Sequence, residues 1–554
     1  MEASDMSAGP TDFGNLNIGY LCTRWQCELG HGGRVALRHL SPTLSRTDYT
    51  FADLDVASDK FAAAVTGLLN ATAGDTMVIY LPSATPELFF GFLGGLKAGL
   101  IVSNTFASLG RESVQHRLLD SGARLLLTQR SLLRRLEPIL HSLKDLRTII
   151  LVDGAQNEAG HLPTAVIGYQ ELIDGASPTF DAVVADRNLP SVLHYTSGST
   201  GQPKGVLHTH GGIETQLTTI REVFQVQDDD VFWCTADPGW VTGTTYGITA
   251  PWAAGLSQVH FAGRFDPATW YTVLQDQGVT IWYTAPTALR MLMRKADVAP
   301  DSFDLTSLKR IYSVGEPLNP EVIHWALDHF HTNTYDTWFQ TETGCVMIAN
   351  RPGAQWKIGA MGLPVSGVEP AIITEAGAVA APNETGRLML KAGWASMFRT
   401  YLNHPDTYAA RFTGDLYDTH DLAYVDADGY YWYIGRNDDV INTAGHLVSP
   451  FEVESALIET GDVTEAAVIG APDPELYEKV VAFVSLREGI AWSKKLEVKI
   501  RVFVSNRVST IAVPSDFIVM DDLPKNQSGK IMRRILRAQY AGEAPGDTST
   551  LAQE

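Results

Sequence analysis

Apolar residues recur at three- and four-residue spacing through 47–71, which predicts a helix with Thr50 or Asp53 as its cap. The continuous apolar run TMVIYLP (76–82) predicts a buried strand. PELFFGFLGGLKAGLI (86–101) predicts a helix whose glycines admit close packing. GLIVSNTF and ARLLLTQ are further short apolar runs, and RTIILVD (147–153) predicts another strand. Strands alternating with helices predict parallel sheets of α/β type. The texture changes after about residue 437. EVESALIE (452–459) predicts a helix, EAAVIGAPD and KVVAFVSL strands, and KKLEVKIRVFVSNRV an amphipathic helix. DFIVMDDLP predicts a strand and KIMRRILRAQY a basic terminal helix. This last part reads as a separate α+β domain of about 110 residues.

Composition narrows the function classes. Of 554 residues, 45% are hydrophobic and 19% charged, an ordinary globular balance that excludes a disordered chain. Lys and Arg number 42 against 63 Asp and Glu, a net charge of −21. Such a surface repels nucleic-acid phosphates and anionic lipid, so neither is expected as a partner. An anionic substrate must then be met by local cations. Cys22, Cys27, Cys234 and Cys345 are scattered and lack CxxC spacing, which predicts reduced thiols in a cytoplasmic protein. The acidic start MEASDMSAGPTDFG has no signal-peptide pattern. The apolar stretch 79–102 is broken by Pro82, Pro86, Glu87 and Lys97, so no membrane span is expected.

The most informative segment is His194-Tyr195-Thr196-Ser197-Gly198-Ser199-Thr200-Gly201-Gln202-Pro203-Lys204-Gly205-Val206. It joins two strand-like runs, PSVLHY and GVLHTH. Its glycines let backbone N–H groups approach an anion, Ser197, Ser199 and Thr200 add donors, and Lys204 adds charge. The spacing is not that of a Walker A loop. Composition alone fits a flexible Gly/Ser hairpin equally well. The full string, however, closely resembles the signature of the adenylate-forming superfamily: acyl-CoA synthetases, luciferases and peptide-synthetase adenylation domains.

Further segments resemble that superfamily in the same order, and its acetyl-CoA synthetase-like branch most. They are ADPGWVTG (236–243), SVGEPLNP (313–320), YDTWFQTETG (335–344), GRNDDVINTAGH (435–446) and LPKNQSGKIMRR (523–534). The resemblance implies a large α/β N-terminal domain, 1–437, of stacked α/β subdomains plus a small β-barrel-like subdomain. A smaller mobile α+β C-terminal domain, 438–554, would carry the catalytic lysine. It implies ATP and coenzyme A as co-substrates and Mg²⁺ as cofactor. A carboxylate attacks the α-phosphate, giving acyl-adenylate and pyrophosphate; a thiol then attacks the acyl carbon and AMP leaves.

Carried over by matching position, Lys530 bridges substrate carboxylate and α-phosphate, Glu342 is the Mg²⁺ ligand, and Thr196 touches the metal or phosphates. Thr196, Ser197, Gly198, Ser199, Thr200, Gly201, Lys204 and Thr341 belong to the ATP site. Gly315, Glu316 and Pro317 line the adenine, as do Asp336, Thr337, Trp338 and Gln340; Trp338 reads equally as a core aromatic. Thr413–Asp415 spells the family's TGD, but the spacing that follows fits Asp421, which is therefore the expected ribose ligand. Arg436 is expected at ribose and phosphate, Asp438 at the hinge, and Gly445 beside the CoA tunnel. Trp240, Val241, Thr242, Val314 and Phe339 form the expected acyl pocket. Acetate-selective relatives carry Trp where Phe339 stands, so acids slightly larger than acetate are expected to fit.

Three departures concern the C-terminal side. Leu447 stands where relatives have arginine, Tyr477 where they often have glycine, and His420 replaces a turn glycine that a side chain strains. The resemblance implies an AMP-forming ligase for acetate or another short-chain acid. Loading of a carrier-protein thiol, a specialised non-acetate ligase and a non-catalytic nucleotide-binding paralogue are the other readings. Monomer and homodimer both stay open.

Overall fold

All six residues of the strand Thr76–Leu81 are buried, because helices cover both faces of the sheet to which it belongs. The computed structural model describes residues 14–154, 162–196, 203–294, 298–444, 446–526 and 530–544. An eight-stranded sheet runs, edge to edge, 400–401, 204–209, 190–196, 101–106, 76–81, 125–128, 148–151 and 165–168. From 190–196 to 165–168 neighbouring strands are parallel, whereas 190–196 and 204–209 pair antiparallel. A nine-stranded sheet lies beside it and brings in 334–338, 310–313, 281–284, 231–234 and 257–261 as a parallel core. A five-stranded antiparallel sheet, 370–373, 386–391, 412–413, 416–425 and 431–436, forms the small β subdomain.

The predicted helix at 47–71 begins later than the spacing implied. Arg46–Thr50 is an edge strand, and the helix is Phe51–Gly67. Thr50 and Asp53 are both its caps: each side chain bonds the other's backbone N–H, a reciprocal capping box. The 86–101 helix stops at Lys97, and the residues from Ile101 form a strand. Gly94 has the packing role its type implied: a Cβ there would meet the Ser58 carbonyl at 2.6 Å, so only glycine lets the two helices touch. Lys97 is buried and held by Asp55 at 2.7 Å and Asp59 at 2.6 Å, with Arg24 completing the cluster.

Residues 441–519 build another five-stranded sheet, with two apolar clusters of its own on its two faces. Three helices, Pro450–Glu459, Lys494–Arg507 and Arg533–Ala541, belong to it. The terminal helix begins three residues beyond Lys530. Lys525 and Ile531 bridge antiparallel, and Lys530 lies ahead of the helix, not on it as periodicity predicted. The predicted 516–524 strand is only Asp516–Val519. The four cysteines are free thiols, and no helix among the described residues is long and apolar enough to cross a membrane.

Candidate active site

Two strands, Pro190–Thr196 and Lys204–Thr209, form a hairpin with Thr196 paired opposite Lys204. Its tip, holding Ser197, Gly198, Ser199, Thr200 and Gly201, lies outside the described residues, as does Gly445. Both stems are braced by the Arg111–Asp120 helix: the Tyr195 hydroxyl donates to Asp120 at 2.9 Å, and His116 Nε2 lies 2.8 Å from the Pro203 carbonyl. The strand Thr400–Tyr401 adds to the Lys204 side. It brings the Tyr401 ring within 6.0 Å of Lys204 Nζ, and the Tyr401 hydroxyl donates to Glu342 Oε1 at 2.7 Å. Burial and the Glu342 charge push the Tyr401 phenol far up, so it stays a neutral donor.

A hydrogen-bond chain leads to Asp421 from Arg411, whose charge is felt by Tyr401 and Glu342. Arg411 donates to the Tyr417 hydroxyl at 2.8 Å, and Tyr417 donates to Gln340 Oε1 at 3.0 Å. Gln340 Nε2 and Trp338 Nε1 donate to Asp421 Oδ2 at 2.9 and 3.1 Å. Asp421 is 3% exposed, and its Oδ1 makes no hydrogen bond; Arg436 Nη1 stands 3.5 Å from it. Residues 421 and 436 are register partners across two adjacent strands, which is why the pair forms. Burial raises the Asp421 pKa, and the positive charges of Arg436 and Lys530 oppose that. Asp415, by contrast, lies exposed at a hairpin turn. The half-buried Trp338 thus has a polar task through its Nε1, beyond packing.

Lys530 keeps an exposed surface but is crowded by protein, and that crowding, then Arg436 and Arg533, lower its pKa, with Asp421 acting the other way. Its N–H donates to Asn526 Oδ1 at 3.0 Å. Lys530, Glu316 and Pro317 line one cleft of about 50 Å³, with Arg290, Glu454 and Arg533. Gly315 has φ +91°, a backbone state that explains glycine at the start of this loop. The Glu316 carboxylate is ion-paired with Arg290 and accepts from Thr287 at 2.6 Å. Asp438 lies 3.8 Å from Arg436.

On the strand Thr334–Trp338, Asp336 and Trp338 share one face. Thr337 points the other way and donates to the Ser313 carbonyl at 2.7 Å, so its hydroxyl is committed to the sheet. Burial holds the Asp336 carboxyl well above the usual range. The Thr341 carbonyl lies 2.8 Å from His208 Nε2. Val241, Thr242 and Val314 are buried. Phe339 meets Tyr246 edge-on at 5.9 Å, from the turn that continues the Val241–Thr244 helix, while Trp240 packs on Phe106 at 4.9 Å.

Arg411, Tyr401 and Tyr417 were not singled out from the sequence. Arg411 immediately precedes the Phe412–Asp415 run, so the TGD string with its exposed Asp415 does mark the arginine beside it. The donor set suits a hard divalent cation of the Mg²⁺ kind, which takes one or two carboxylates and fills its remaining positions with phosphate and water. No cluster of three metal-binding side chains occurs among the described residues. Glu342, oriented by Tyr401, meets that limited need.

Comparison with known proteins adds to this geometry. The family model described as AMP-binding enzyme matches residues 24–402, and that of the AMP-binding enzyme C-terminal domain matches 452–530. The chain is 42% identical over 539 residues to an acetyl-coenzyme A synthetase of Bacillus subtilis, covering 97% of this chain and 93% of that protein. A second acetyl-coenzyme A synthetase, of Pyrobaculum aerophilum, is 34% identical over 98% of this chain and 85% of its own length. Among solved structures, an anthranilate CoA ligase in complex with anthranoyl-AMP superposes with TM-score 0.87 at 26% identity, covering 98% of this chain and 99% of that one. A benzoate CoA ligase from Burkholderia xenovorans gives TM-score 0.82 at 27% identity, over 94% of this chain and 99% of that one. Matched by both models along most of its length and 42% identical to a full-length acetyl-coenzyme A synthetase, the chain is a member of the AMP-binding enzyme family, the adenylate-forming superfamily.

Proposed function

We propose that the chain, an AMP-forming acyl-CoA synthetase, activates acetate or another short-chain carboxylic acid with ATP and transfers the acyl group to coenzyme A. The observation that carries this reading is Asp421. Its buried Oδ1 is a carboxylate oxygen without a hydrogen bond, beside Arg436 and in the field of Lys530. Ribose hydroxyls are the donors such an oxygen needs, and its Oδ2 is already saturated by Trp338 and Gln340.

In the first half-reaction an acid oxygen attacks the α-phosphorus and pyrophosphate leaves. Negative charge grows on the phosphoryl oxygens, and positioned cations stabilise it. Lys530 and Arg436 supply that charge from one side and Lys204 from the stem of the hairpin. Glu342 would hold Mg²⁺, which supplies further charge neutralisation when bound. Gly315, Glu316, Pro317, Asp336, Trp338 and Gln340 frame the base and sugar. The acid's alkyl group lies against Val241, Thr242, Val314 and Phe339. In the second half-reaction the residues from Asp438 onward turn, Lys530 withdraws, and the thiol attacks the acyl carbon with AMP as leaving group. Free, mostly buried cysteines fit a reducing cytoplasm.

Leu447 favours a second reading of the acceptor. It is an exposed apolar side chain where relatives offer a cation, which fits a carrier-borne pantetheine arm in place of free CoA with its phosphates. Pyrophosphate release measured across C2 to C8 acids, with and without CoA, tests both. Acid-dependent release with CoA consumption supports the ligase. Release without CoA turnover supports the carrier arm, and no release with any acid contradicts adenylation.

A further inference from the structure

The Pro286–Arg294 helix carries two arginines four residues apart, and therefore on one face. Arg290 serves the nucleotide loop. It pairs with Glu316 and reaches Asn319 Oδ1 at 3.3 Å, and Asn319 Nδ2 donates to Ser455 Oγ at 2.8 Å. Arg294 reaches the sheet of the C-terminal part instead. Its Nη1 lies 3.3 Å from Glu465 Oε2 and 3.7 Å from Asp522 Oδ1. Glu465 is 1% exposed, and the same Oε2 accepts from Lys525 Nζ at 2.7 Å. Lys525 is the residue whose bridge to Ile531 closes the hairpin around Lys530. Arg290, Glu316, Glu465 and Lys530 all line the same cleft.

We propose that Arg294 is a positioning residue for acyl-adenylate formation, holding the Lys530 hairpin over the nucleotide loop through Glu465 and Lys525 and letting go when the C-terminal part turns. The inference rests on the function proposed above. Its chemistry suits a contact made and broken in every cycle. A carboxylate as buried as Glu465 cannot be left without a cation, since an unpaired buried charge is strongly destabilising. Lys525 belongs to the same part of the chain and stays with it when Arg294 departs. Arg294, with 26% of its side chain exposed, rehydrates readily. The helix also links the two ends of the reaction: loss of the Arg294 contact frees the lysine hairpin while Arg290 keeps Glu316 in place.

The test uses the full chain with Arg294→Gln and Arg294→Lys. Acid-dependent ATP–pyrophosphate exchange reads the first half-reaction, and thioester formation from supplied acyl-adenylate and CoA reads the second. Arg294→Gln is expected to lower the kcat of exchange by about tenfold, the effect of shifting a two-state equilibrium away from the competent arrangement. Thioester formation should be unchanged or faster, and Arg294→Lys should recover part of the exchange rate. An equal fall in both half-reactions would mark a merely structural arginine, and unchanged exchange would overturn the proposal outright. If the wild-type chain shows no exchange with any C2 to C8 acid, the functional reading falls and takes this inference with it. An active wild type with an indifferent Arg294→Gln sinks the inference alone.

Discussion

The two oxygens of Asp421 have different fates, and that asymmetry organises the site: one is saturated by Trp338 and Gln340, the other faces Arg436. The same scale explains two of the departures from relatives. His420 has φ +60° and Tyr477 φ +71°, so both stand in the left-handed region that favours glycine. Tyr477 is 72% exposed and gains little from packing. A side chain in that region costs about 1–2 kcal/mol, partly offset by the greater unfolded-state freedom of glycine. Tyr477→Gly should therefore stabilise the chain by about 0.5 kcal/mol, read as a higher urea midpoint. A lower midpoint would show that the tyrosine makes a contact worth more than its strain. Phe339, against Tyr246, is the second residue-scale case. Phe339→Trp should cut kcat/KM for propionate relative to acetate by about 10- to 200-fold, the range for one methylene in an apolar pocket. An unchanged ratio would place Phe339 outside the acyl pocket.

The hairpin of 190–196 and 204–209, on which the proposed nucleotide site rests, carries the buried His194 and His208, and the buried His210 directly follows it. Burial holds His194 down to about 3, His208 to about 4 and His210 to about 3. An unfolded histidine titrates near 6.5, so below that pH the unfolded chain binds more protons than the folded one. The stability contributed is complete above about pH 6.5 and is lost as pH falls toward 4, by about 1.4 kcal/mol per pH unit for each histidine. His210 Nδ1 accepts from the Ile18 N–H at 3.0 Å, a bond that an asparagine oxygen can also accept. His210→Asn should reduce the slope of unfolding free energy against pH by about one proton between pH 6.5 and 4. An unchanged slope would mean that His210 is already protonated in the fold. This hairpin was legible from its two apolar runs, as were most strands, because burial on both faces leaves a continuous apolar signature. Element ends were less legible. Arg46–Thr50 is an exposed edge strand with no apolar run to announce it, and Lys530 falls outside its helix because hairpin bridging competes with helical periodicity. At the site, Trp338 and Gln340 meet Asp421, and Arg436 stands beside it, although these residues are far apart in sequence. Arg411 and Tyr401 did not stand out, since their partners Tyr417 and Glu342 are brought to them only by sheet pairing and loop return.

At the scale of the whole molecule, the proposed chemistry depends on a cation delivered from residue 530 to a nucleotide held by residues 196 to 436. An acidic chain of net charge −21 concentrates Lys204, Arg411, Arg436, Lys530 and Arg533 around one site, so attraction of ATP depends on this local cluster against the overall field. Raising the ionic strength should therefore weaken ATP binding, seen as a rise in KM for ATP with kcat little changed. An insensitive KM would show that the phosphates meet fewer cations than this reading assigns to them. The most direct measurement is the separation of half-reactions in Lys530→Ala. Acid-dependent ATP–pyrophosphate exchange should fall by at least about a hundredfold, the loss expected when one charge-stabilising group is removed, while thioester formation from supplied acyl-adenylate and CoA continues at the wild-type rate. Exchange at the wild-type rate in that variant would contradict the account.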